Sequence, residues 1–181
     1  MPADIPVIGP VINKIFGTRN ERFVRRYTTR VEAIGAKEPE MRQLSDADLR
    51  ARTAALRERF EKEGRASDLL VDAFAVAREV MDRSVGIRNI FNPKLRDRFP
   101  LDRLAASDRA LYDETLAKME ATPDAPPLDD FLGCTDVQPG WLQVEIPARL
   151  YEAVRELFPE SRPPFRARPF DMQLIGGMVL Y

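Results

Sequence analysis

From residue 20 onward the apolar positions recur with a helical repeat. Phe23, Val24, Tyr27, Val31 and Ile34 share one stripe, which predicts a helix over about residues 20–36. After a break at Pro39, Ser45 and Asp48 form an S-x-x-D start signal, in which the hydroxyl accepts a free backbone N–H at the helix beginning. Leu49, Leu56 and Phe60 then make a narrow apolar edge on an otherwise charged segment, and Gly64 is placed to stop it. This second helix should face solvent. A third, from near Ser67 to about Ser84, is apolar on more than one face and should be the most buried of the three.

The flanking stretches read differently. Residues 1–17 hold Pro2, Pro6 and Pro10, which predicts an extended arm followed by a short helical piece ending at Gly17. Residues 88–165 contain ten of the fifteen prolines and carry ten Lys+Arg against fourteen Asp+Glu, so they are read as an acidic insertion or small subdomain. Within them Ser107 is expected to cap a helix bearing Leu111, Leu116 and Met119. Pro147 is expected to open another bearing Leu150, Val154 and Leu157. Between these lies a proline-rich linker at 122–127. The alternation of Leu142, Val144 and Ile146 predicts a short strand or extended edge over 141–146.

Composition narrows the chemistry mainly by what it omits. The 181 residues are 44% hydrophobic and 31% charged, enough to bury a core in one or two domains, and 28 Lys+Arg against 29 Asp+Glu give no whole-chain attraction to a polyanion. There is no histidine and a single cysteine, Cys134, which excludes imidazole triads, His-ligated metal sites and an internal disulfide. Cys134 is expected to be a loop or partly buried thiol, and the pairs Asp113/Glu114 and Asp129/Asp130 to be solvated. No apolar run reaches the roughly 18 residues of a membrane span, and no secretory signal opens the chain; the expectation is a cytoplasmic, reducing setting. No G-x-G-x-x-G, phosphate-loop or calcium-loop motif occurs, and no metal site is expected.

Two segments remain as candidates. Over residues 11–30, Lys14, Arg19, Arg22, Arg25, Arg26 and Arg30 face only Glu21, with Phe16, Phe23 and Tyr27 interleaved. Such a stripe suits an anionic lipid surface, arginines on headgroups and aromatics at the interface; equally, its apolar side suits packing on its own domain. No fold signature points to nucleic acid. The second candidate is the apolar, glycine-containing run 165–181. Gln173 offers a donor and an acceptor in one plane, matching the N6/N7 edge of adenine, and Phe170 or Arg168 offers a stacking surface. By spacing alone the same run also reads as a turn leading into a helix, with Gly176 and Gly177 allowing close packing.

Four blocks in order, residues 14–22 (KIFGTRNER), 38–50 (EPEMRQLSDADLR), 72–79 (DAFAVARE) and 170–180 (FDMQLIGGMVL), resemble the N-terminal region of SecA, the ATP-driven motor of bacterial preprotein translocation. The resemblance covers residues 11 to about 87 and 165–181. The stretch between is an insertion relative to the common pattern, of a kind associated with planctomycete-like bacterial versions. It implies a mainly α fold: the N-terminal helices (1–87) of a P-loop, RecA/DEAD-like motor domain, an inserted Pro-rich α+β subdomain (88–164), and the start of the nucleotide-binding domain (165–181).

The resemblance further implies a peripheral protein at the inner face of the cell membrane, handling ATP with Mg in the complete parent. Its implied partners are the SecYEG channel, unfolded preproteins and acidic phospholipid, with homodimerisation possible in the parent. It makes Gln173 the adenine-contacting glutamine, with Phe170 and Arg168 in neighbouring positions, and it assigns Lys14, Arg19, Arg22, Arg25 and Arg26 to lipid or channel binding. The family's Gly-Lys-Thr phosphate loop does not occur in these residues, so the chain is expected to be a fragment that does not hydrolyse ATP alone. The alternative is a stand-alone helical interaction module, using Trp141 and the helix after Pro147 as its contact surface.

Overall fold

The computed structural model describes residues 19–127 and 136–180. Lys14, the expected arm and short helical piece of residues 1–17, and Cys134 therefore lie outside the described residues.

Local signals account for most of the helices. Helix α1 runs Arg19–Ala36, and its stripe buries Val31 and Ile34. Pro39, expected as a break, instead sits in the first turn of a short helix α2, Glu38–Gln43, where its missing N–H costs nothing. Helix α3 is Asp46–Glu63. The Ser45 Oγ accepts from the Asp48 N–H and the Asp48 carboxylate accepts from the Ser45 N–H, the reciprocal cap expected from the sequence. Gly64 ends it at φ 65°, its N–H donating to the Phe60 carbonyl. Helix α4, Ala66–Met81, is the most buried of the three long N-terminal helices. It continues into a π-helical turn, Asp82–Gly86, and a 3-10 turn, Ile87–Ile90.

Beyond this, α5 spans Ala106–Ala121, the single turn α6 spans Gly140–Gln143, α7 spans Ala148–Leu157 and α8 spans Asp171–Leu180. Pro147 immediately precedes α7, as expected. Ser107 does not cap α5; the helix opens two residues earlier, after Ala105.

The molecule is mainly helical, and among the described residues no strand forms. The expected α+β character reduces to one antiparallel bridge, Ala125 with Gln138. The strand expected over 141–146 is absent for a physical reason. Pro139 and Gly140 start a helical turn whose first N–H, from Gly140, donates to the Asp124 carboxylate at 2.8 Å. The Arg88 guanidinium then collects the carbonyls of Trp141, Leu142 and Val144 at 3.0–3.3 Å. Backbone acceptors that a ladder would need are spent on one arginine.

Two apolar cores result. One joins α1, α2, α3, α4 and α8 through Val31, Ile34, Met41, Leu49, Val76, Leu174 and Met178. The other draws on residues 87–165, where Phe91 stacks on Tyr112 at 4.8 Å and Phe99 meets Phe165 edge-on at 5.2 Å. Leu150 and Val154 of α7 are fully buried here, and half-buried Trp141 packs against this core. The contact surface expected for an interaction module is thus largely consumed by internal packing.

Between the cores runs a layer of buried charge. Glu79 accepts from Arg83 at 2.6 Å and from Arg155 at 2.7 Å, and Asp82 accepts from Arg166 at 2.9 Å. All five are at most 5% exposed. Burial of charge at this cost is sustained only because each group has several partners.

Candidate functional site

A groove of about 420 Å³ opens between α4 and the segment 161–174. Its walls are mostly apolar, with Phe74, Ala77 and Met81 from α4 and Pro163, Pro169 and Leu174 opposite. Arg168, Phe170 and Gln173, the three residues singled out from the sequence, all line it.

Each is held differently. Phe170 is the residue before α8 and its side chain is 58% exposed at the groove rim. Gln173 lies in the first turn, and its Oε1 accepts the Phe170 N–H at 2.8 Å, so the side chain is pre-oriented by the helix start it caps. Its Nε2 makes no hydrogen bond among the described residues. Arg168 donates to Glu38 at 2.7 Å, and its Nε is buried without a partner. Burial alone would raise the Glu38 carboxyl. The hydrogen bond from Arg168 and the charges of Arg168, Arg42 and Arg78 outweigh burial and hold it below its ordinary value. Arg168 is therefore committed to an ion pair rather than free to lie over a planar ligand.

Arg78 was not singled out from the sequence. It is 5% exposed, and it donates through Nε to the Pro169 carbonyl at 3.1 Å and through a terminal nitrogen to Asp171 at 2.7 Å. Its only sequence signal is its place in the 72–79 block, where an arginine on an otherwise apolar helix face is out of pattern.

The basic stripe is partly placed. Arg19 and Arg22 fall in α1, with side chains outside the described set; Arg25 and Arg26 are exposed. Tyr27 packs against the first core with Val31 and Ile34. Over this half of the helix the apolar side is used for folding. No described helix is long and apolar enough to cross a membrane, and no cluster of acidic or cysteine side chains among the described residues could hold a metal ion.

The family model of the SecA DEAD-like domain matches residues 12–97. Residues 12–97 are SecA-like. The protein translocase subunit SecA of Sorangium cellulosum is 50% identical over 78 residues, 43% of this chain and 8% of that protein. Those of Solibacter usitatus and Coxiella burnetii are each 46% identical over 83 residues, 46% of this chain and 9% of theirs. The chain thus matches under a tenth of the length of these SecA proteins. No solved structure matches it.

Proposed function

We propose that this chain forms the N-terminal part of a SecA-like preprotein translocase motor, and that the groove between α4 and residues 161–174 holds the adenine of ATP. The observation that carries this reading is the convergence of Phe170 and Gln173 on one apolar groove of about 420 Å³. The fit to a nucleobase is chemical. Gln173 supplies an unpartnered Nε2 donor, and its Oε1 keeps a second lone pair beside the Phe170 N–H; together they match the N6/N7 edge. Phe170 supplies an exposed ring face and α4 supplies an apolar floor. Arg168 holds Glu38 and so supports the groove wall.

When bound with Mg, ATP would supply the phosphoryl chemistry of the motor. These 181 residues contain no Gly-Lys-Thr loop, so this chain's share is recognition of the base. The stretch 88–164 is read as an insertion into a P-loop motor domain; the core built from residues 87–165 supports this reading, and residues 88–97 of it fall within the family match. Arg25 and Arg26, exposed on α1, and with them Lys14, Arg19 and Arg22, would dock to acidic phospholipid or to the SecYEG channel at the inner membrane face, as the motor delivers unfolded preproteins.

Titration of the chain with adenosine and with guanosine, followed by NMR, tests the groove. Adenosine should bind weakly, since a base contact alone leaves phosphates unheld, and Gln173→Ala should weaken it about tenfold. Equal binding of guanosine, or an unaltered Gln173→Ala variant, would overturn the assignment.

A further inference from the structure

The segment carrying the groove residues is not held by its own secondary structure: residues 162–170 are irregular, between α7 and α8. Besides burial of Phe165, the Asn89 amide on the Pro164 carbonyl and the Arg168–Glu38 pair, one stripe of α4 and its π-helical continuation grips it. Arg78, Asp82 and Gly86 are spaced four apart, and each meets this segment through atoms rather than through apolar area.

At one end, Gly86 lets the two backbones touch; a Cβ there would lie 2.4 Å from the Ala167 nitrogen. In the middle, the Asp82 carboxylate accepts from Arg166 Nε at 2.9 Å and 3.1 Å and from the Ala167 N–H at 3.2 Å. At the other end, Arg78 binds the Pro169 carbonyl and the Asp171 carboxylate, bracketing Phe170 on both sides. Asp82 and Arg78 are 2% and 5% exposed. The same Asp82 also accepts from Arg155 of α7 at 3.4 Å, which ties the groove to the 87–165 core.

Resting on the adenine reading of the groove, we propose that Arg78 and Asp82 are positioning residues for base recognition. They hold Phe170 and the start of α8, and so Gln173, at a fixed distance from the α4 floor. Without the clamp the base-reading amide would still cap α8 and Leu174 and Met178 would still seat that helix in the first core, but Phe170 and the first turn of α8 would lose their fixed distance from the α4 floor.

Asp171 is the partner to change, since its side chain is 64% exposed and its loss leaves no cavity. In Asp171→Ala, hydrogen exchange of the Phe170, Gln173 and Leu174 amides should rise and adenosine affinity should fall about tenfold, with Asp171→Glu restoring both. Faster exchange with unchanged adenosine affinity would overturn the positioning role, and unchanged exchange would overturn the clamp. If the wild-type chain fails to bind adenosine, the reading of the groove falls and takes the positioning role with it. An intact wild-type affinity that Asp171→Ala leaves alone overturns the positioning role only. Arg78→Lys supplies a second arm: it keeps the charge but not the two-pronged geometry, and should behave as Asp171→Ala does.

Discussion

The guanidinium of Arg83 lies over the ring of Tyr151, 4.5 Å from its centroid, joining the π-helical turn after α4 to α7 of the second core. The same Arg83 donates to Glu79, to Asp46 and to the carbonyls of Met41, Arg42 and Leu44, and Tyr151 donates its hydroxyl to Asp46 at 2.8 Å. The Met41 carbonyl also accepts the Leu44 N–H at 3.3 Å, whereas Arg83 supplies the donor for the Arg42 and Leu44 carbonyls and so caps the end of α2 from a distant helix. Burial and the neighbouring Asp46 push the Tyr151 phenol above its ordinary value, which keeps it a donor throughout the accessible pH range.

Arg83→Ala should therefore be severe. It leaves buried Glu79 with Arg155 alone and strips the Arg42 and Leu44 carbonyls of their donor, and it should cost about 3–5 kcal/mol in urea unfolding. Tyr151→Phe removes one hydrogen bond while keeping the ring, and should cost only about 1–3 kcal/mol. A loss for Arg83→Ala no larger than that for Tyr151→Phe would show that the charge layer contributes little.

The glycines should separate sharply by position. A Cβ on Gly140 would stand 1.9 Å from the Thr122 carbonyl oxygen, so Gly140→Ala must shift backbone and should cost about 1–3 kcal/mol or more. Gly176 lies inside α8 with nothing within 4 Å of an added Cβ, and Gly176→Ala should stabilise by about 0.5–1 kcal/mol. Thermal melts of the two variants should move in opposite directions.

Acid should weaken the second core through Asp108. Its hydrogen bonds from Arg149, at 2.6 Å and 2.9 Å, hold its carboxyl below the ordinary value, with burial opposing. A group whose pKa is lowered by folding stabilises above its unfolded pKa and loses that contribution as pH falls through the native one. Stability should therefore drop below roughly pH 4, the ordinary aspartate range. Asp108→Asn should flatten this part of the curve, and a wild-type slope in that variant would place the acid sensitivity elsewhere, for example at Glu38.

Much of the helix inventory was legible because its signals are local. The Ser45–Asp48 box, Gly64 and Pro147 act within one turn of themselves, and the stripe of Val31 and Ile34 needs only the helical period. The short strand or extended edge expected over 141–146 did not form a ladder, because alternation names no hydrogen-bond partner: of Leu142, Val144 and Ile146 only Ile146 is buried, and Arg88 takes the carbonyls. Gln173 and Phe170 were found through a motif and do share a groove, whereas Arg168 turns to Glu38. Arg78 and Asp82 were missed because charged residues on a helix read as a solvated face, and their partners stand 84 to 93 positions away.

By itself the sequence determined the long helices, where several of them start and stop, and that residues 12–97 follow the SecA pattern, since caps, periods and motifs are properties of neighbouring residues; the short helices at 38–43 and 140–143 were not among them. Only the tertiary structure decided that a layer of buried charge joins two apolar cores and that one stripe of α4 grips the groove segment. Those contacts depend on which distant chain is brought close enough to satisfy a desolvated charge, and nothing local encodes that distance.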